Sequence, residues 1–274
     1  MSLLDFFRRK PPLDPDTSSW IVETVEWLLR NLGGYEEFRR TTIVTPTNEF
    51  FPPKGLRGHP LAIELFTCVK EHAHMADWPC EVQQQEEDPP DAISPAMQIV
   101  HSSEAPLGTF SISENENIAV ISYNPRLLND RMALVATFAH ELSHYLTLSI
   151  EEPPPGGWEC LEPATDVTAV FVGFGVFLIN SAFSFAQFGD SLAIGWRSQR
   201  QGYLGEPALL YTHALISKLL DAEAAYSLVH LKPSLAPTFR KMDEFVAQSP
   251  AIIEALRNVD SGIKTTVDPT PNGG

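Results

Sequence analysis

The chain has 274 residues, 43% of them hydrophobic and 20% charged, which is enough apolar material for a real core and excludes a disordered acidic polymer. Its formal net charge is −16, from 35 acidic against 19 basic residues, so its surface repels phosphate backbones and nucleic acid is not an expected partner. Cys68, Cys80 and Cys160 are odd in number, widely spaced and lack a Cys-x-x-Cys pair, which argues against a disulfide framework and against a cysteine zinc site, and fits reduced thiols in the cytoplasm.

Residues 1–16 are basic, then Pro-rich, and read as a flexible arm; the order of charge and apolar patch is wrong for a secretory signal. Asp16, Thr17 and Ser18 are candidate caps for a helix running through Ile21, Val25 and Leu28 to Gly33-Gly34. Thr41–Val44 reads as a short strand stopped by Pro46. Pro60 opens a second amphipathic helix, with Leu61, Leu65, Phe66 and Val69 on one face, that ends before Trp78-Pro79. The Gln/Glu stretch 83–88, followed by Pro89-Pro90, reads as a hinge, closing an N-terminal α/β region over 17–90.

After Pro95 the period changes, and Met97–His101, Thr109–Ser113 and Ile118–Tyr123 read as strands. A helical pattern without interruption covers 130–148, and a Pro/Gly-rich loop occupies 151–158. A second long helix is expected from about 162 to 187, and a third from near Pro207 to about 230. Shorter helices fill 236–258, and 261–274 reads as a flexible tail. The fold class is therefore α+β, a small antiparallel or mixed sheet on a helical domain over 91–260. Residues 167–188 are uncharged and long enough to be weighed as a membrane span, but Thr168, Asn180, Ser181, Ser184 and Gln187 and the lack of a positive flank favour a buried core helix.

The chemistry concentrates in His140-Glu141-Leu142-Ser143-His144. Helical residues four apart share a face, so His140 and His144 can turn both imidazoles on one divalent ion, and Glu141 beside them can reach a water on it. Such an ion lowers the pKa of its water towards about 7, within reach of a carboxylate base. A catalytic zinc keeps three protein ligands, and Glu162 lies 18 residues after His144, with Asp166 one turn beyond on the same face. Spacing alone leaves open which of the two is the ligand.

The run His140-Glu141-x-x-His144 followed by Glu162-x-x-x-Asp166 resembles the gluzincin branch of the zincin metallopeptidases over about residues 95–190. The resemblance implies a zincin-like fold and one zinc held by His140, His144 and Glu162. It makes Glu141 the general base and later proton donor, and Asp166 the acceptor orienting His140. It implies hydrolysis of peptide bonds in a peptide or protein substrate. The strand 118–123 is then either the edge strand that pairs with substrate or an ordinary inner strand. Under the same reading Gly173 and Gly175 leave room for close helix approach, and Phe171, Phe174 and Phe177 pack under the motif helix.

An amide hydrolase also needs an oxyanion donor, for which Tyr203, His213, Arg197 and Arg200 are the downstream candidates. His59, His72, His74 and His101 read as scattered residues, Tyr145 as packing and Cys160 as a buried thiol. The competing functional class is a non-catalytic zinc-containing binding or regulatory protein, in which the N-terminal region would be the recognition surface.

Overall fold

The computed structural model describes residues 12–85, 108–112, 118–188 and 204–261, the backbone alone at 108–112 and 183–188. Its first helix, α1 (Pro15–Asn31), starts one position earlier than the capping residues expected from sequence. Asp14, not Asp16, Thr17 or Ser18, is the cap: its side chain accepts from the Thr17 N–H at 3.0 Å, and Pro15 takes the first helical position, where a missing N–H costs nothing. A short α2 (Gly34–Phe38) and the amphipathic α3 (Gly58–His72) follow.

Between them, Thr41–Val44 is irregular rather than a strand. Among the described residues no sheet neighbour lies beside it; the Val44 N–H instead donates to the Gly173 carbonyl at 2.9 Å, so β-branched composition here serves an irregular segment laid on a buried helix.

The sheet has three described strands, β1 (Cys80–Gln84), β2 (Gly108–Ile112) and β3 (Ala119–Tyr123), in the order β1-β3-β2. It is mixed: β1 runs parallel to β3 and β2 antiparallel to it. β3 shows the expected alternation, with Ala119, Ile121 and Tyr123 buried. Two sequence expectations change here. Gln83 and Gln84 belong to a strand rather than a hinge, and β3 is an inner strand with both edges paired, so its backbone has no free edge for a substrate. The expected strand at Met97–His101 and the boundary near 90 lie outside the described residues.

After a 3-10 turn (Pro125–Asn129), α4 (Arg131–Leu148) carries the two-histidine run, with Asp130 accepting from the Ala133 N–H at 3.0 Å to cap it. The loop behind α4 is pinned to α1: Trp20 Nε1 donates to the Pro155 carbonyl at 2.7 Å and Trp27 Nε1 to that of Glu152 at 3.2 Å. The second long helix is present but interrupted, as α5 (Leu161–Ala169), a π turn (Val170–Phe174) and α6 (Gly175–Phe188). By length and composition the stretch Trp158–Ala182 is apolar enough to cross a membrane, with mean hydropathy 1.5, yet 94% of its most apolar window is buried inside the protein.

The aromatic and glycine expectations along this helix are partly redirected. Phe171 packs on Phe38 and Phe177 on Phe51. Gly173 makes its close approach to Thr42, and Gly175 to the His213 ring, rather than to α4.

The third long helix stops sooner than expected. α7 (Glu206–Leu219) ends at a turn in which Asp221 has φ 54°, and Arg257 Nη2 donates to the Lys218 carbonyl and to Asp221 Oδ1, closing the helix end. Three shorter helices, α8 (Ala224–Leu228), α9 (Ala236–Ala247) and α10 (Pro250–Arg257), finish the described chain. One hydrophobic cluster runs from Trp20 in α1 through α4, α5 and α6 to Leu256 in α10.

His213 of α7 is fully enclosed in that cluster, its Nε2 2.8 Å from Ser227 Oγ and its ring against Phe239. Burial pushes its pKa down, from 6.5 to about 4. Between those values the unfolded chain binds a proton that the folded chain refuses, so stability is full above about pH 6.5 and is lost as the pH falls towards 4. A loss of about 3 kcal/mol across this window is expected. Urea unfolding at several pH values checks it: wild type should show this extra acid slope over His213→Gln, and parallel slopes would remove His213 as its source.

Candidate metal centre

α4 and α5 pack against each other, and their facing residues form the centre. His140 and His144 lie one turn apart on α4, with ring centroids 4.7 Å apart and planes nearly perpendicular. Glu162 enters from the first turn of α5, its Oε2 3.5 Å from His140 Nε2 and 3.5 Å from His144 Nε2. Two ligands bonded to one tetrahedral zinc at about 2.1 Å stand roughly 3.4 Å apart, so these separations suit a shared ion. One donor atom from each of His140, His144 and Glu162 lies within 4.8 Å of the others, and this trio can hold a metal ion.

The imidazole tautomers are set from behind. His140 Nδ1 donates to Asp166 Oδ1 at 2.9 Å, and Asp166 Oδ2 accepts from the Leu204 N–H at 2.7 Å. Both Asp166 oxygens are thereby turned away from the trio, and Glu162, not Asp166, sits among the donors. On His144 the same work falls to Thr165. Its hydroxyl donates to the Leu161 carbonyl at 2.9 Å, which leaves the oxygen to accept from His144 Nδ1 at 3.2 Å. With each Nδ1 held by its acceptor, each Nε2 faces Glu162 and is the nitrogen left to bind an ion once it gives up any proton, the arrangement a ligating histidine requires.

Burial and charge are graded across the centre. His140 is 1% exposed while the Glu162 side chain is 43% exposed, so the trio is closed on the α4 side and reaches the surface past Glu162. Without a metal, burial works to lower the His140 pKa, but the Asp166 and Glu162 carboxylates outweigh it and raise the pKa to about 10. Burial favours the neutral form of Glu162, yet the two imidazoles hold its carboxyl well below the usual range. Glu141 is buried, and burial pushes its carboxyl pKa up, against the pull of His140 and His144.

Of the other residues singled out in the sequence, Tyr203, Arg197, Arg200 and His101 lie outside the described residues. His213 makes its contacts with Ser227, Phe239 and Gly175 in the core. His213 is not a member of the trio. His72 bonds the Phe50 carbonyl, His59 bonds the Tyr123 hydroxyl, and Tyr145 packs edge-on against Trp78. Cys160 is buried and is not a member of the trio.

Thr165 and the Leu204 amide are the participants that sequence reasoning did not identify. Thr165 carried a weak signal: it lies one turn after Leu161, whose carbonyl takes its proton, and next to Asp166. Comparison of the chain with family models, with curated proteins and with solved structures finds no significant match.

Proposed function

We propose that the protein is a zinc-dependent metallopeptidase of gluzincin type, hydrolysing peptide bonds in a peptide or protein substrate within the cytoplasm. The observation that carries this reading is the convergence of two oriented imidazoles and one carboxylate, with a buried second carboxylate next to the first imidazole. A purely structural zinc site has no use for that last group and prefers a fourth protein ligand; among the described residues the cluster has three members.

His140, His144 and Glu162 would hold zinc, which when bound makes a water acidic and polarises a carbonyl. Asp166 and Thr165 keep both rings in the ligating tautomer. Glu141, one residue along from the first ligand, takes a proton from the attacking water and passes it to the departing amine. Its burial keeps the carboxylate weakly solvated and hence a stronger base than a surface one. Glu162, at the exposed side of the trio, marks the face from which substrate would enter.

Glu141→Gln tests this directly. The substitution keeps the side-chain volume and leaves all three ligands in place. Zinc content should match wild type while turnover of an unstructured protein such as casein falls at least about 100-fold, the usual contribution of a positioned base. Equal turnover in both proteins would remove Glu141 as the base. A zinc-loaded wild type without turnover on a broad peptide library would favour the non-catalytic binding or regulatory alternative.

A further inference from the structure

A second site lies at the other end of α4. The start of α3, the 3-10 turn and the first residue of α4 enclose a cavity of about 710 Å³, and Arg57, Arg126 and Arg131 all line it. Among the described residues no Asp or Glu lines it, in a chain with 35 acidic and 19 basic residues. Of the five described arginines elsewhere, four are matched: Arg30, Arg39, Arg40 and Arg257 each hold a carboxylate, and Arg240 does not. Among the described residues, none of the three cavity arginines forms an ion pair. Three like charges around one hollow repel one another, and a bound anion removes that cost.

The backbone adds to the same field. α3 has 15 residues, its N-cap is Arg57 without a side-chain cap bond, and its first turn holds no acidic residue. The leading amides of α3, with Gly58 in the cavity wall, therefore have no carboxylate or hydroxyl of their own. Gln84 and Asn124 also line the cavity with neutral polar groups.

We propose that this cavity binds a small molecule bearing two or more phosphate or carboxylate groups. Guanidinium forks match either group with paired hydrogen bonds, and three of them need more than one anionic group to be satisfied together. The volume admits a molecule of metabolite size rather than a single ion. Arg131 is nine residues before His140 on α4, roughly 14 Å along the helix axis, so the site is separate from the metal centre and does not rest on the peptidase reading.

Titration calorimetry of the whole protein at about 50 mM salt, with inorganic pyrophosphate and with tricarballylate as probes, tests the proposal. At least one probe should bind wild type with a Kd below about 1 mM. Arg126→Ala/Arg131→Ala should weaken that binding at least about tenfold with an unchanged melting temperature, since both side chains are exposed. Arg39→Ala/Arg40→Ala removes the same charge elsewhere and should leave binding within about twofold, which also controls for any metal the probes extract. The probe that binds identifies the anionic group. Failure of both probes with wild type, or equal weakening in the two double variants, overturns the proposal.

Discussion

Gly173→Ala is expected to destabilise the protein by about 4 kcal/mol and to lower its melting temperature by about 10 °C. Gly173 has φ 103° in the middle of the π turn that joins α5 to α6, a backbone state that L side chains rarely adopt. The added Cβ would also overlap the Thr42 carbonyl oxygen. Relaxing by rotation is blocked, because the Gly173 carbonyl accepts from the Val44 N–H at 2.9 Å and so anchors the 41–45 segment to the helix. Left-handed strain accounts for about 1–3 kcal/mol and the overlap for a similar amount. Gly55 separates the two causes: it has φ 70°, but a methyl group added there would meet nothing within 4 Å, so Gly55→Ala should cost the strain alone. Urea unfolding of the three proteins checks this, and equal losses at the two glycines would contradict the close approach at Thr42.

Asp166→Ala carries the second large effect, on both fold and metal. It strips the acceptor from two buried donors at once, His140 Nδ1 and the Leu204 N–H. Each orphaned donor costs about 1–3 kcal/mol, so a total near 4 kcal/mol is expected. Zinc affinity should fall about 10- to 100-fold, because His140 loses the group that holds its tautomer and ring plane. Thr165→Val should produce a smaller, several-fold loss through His144, since its contact is longer, at 3.2 Å, and uncharged. Competition titrations against a chromophoric chelator give both affinities. If Asp166→Ala binds zinc as tightly as wild type, the carboxylate does not orient the ligand.

The parts of the fold that were legible in the sequence are those whose signals are local. The span 130–148 matches α4 almost to the residue, because Asp130 caps it and the apolar pattern runs without a break. Glu162 and Asp166 stand out as acidic residues one turn apart at the start of the next helix, their separate roles come only from the resemblance, and the structure brings both to His140. What was not legible depends on distant partners. β1 is Gln-rich with a mostly exposed pattern, and it is a strand because it pairs with β3 some forty residues later. Thr41–Val44 has strand composition but finds its hydrogen bond on a helix. The premature end of α7 is closed by Arg257, remote in sequence, and the π turn exists because Gly173 must let Thr42 approach. Thr165 carries only the weak signal of its place beside Asp166 and one turn after Leu161, because a hydroxyl accepting from a ligating ring has no motif of its own.

The central claim is that His140, His144 and Glu162 form one metal site, and metal content tests it most directly. Wild type and His140→Ala are each exposed to excess zinc, passed through gel filtration into metal-free buffer and analysed for zinc by mass spectrometry. The three-ligand site predicts about one zinc per chain in wild type and less than about one per ten chains in His140→Ala. Wild type with less than about one zinc per ten chains, or a variant that retains as much as wild type, would contradict it.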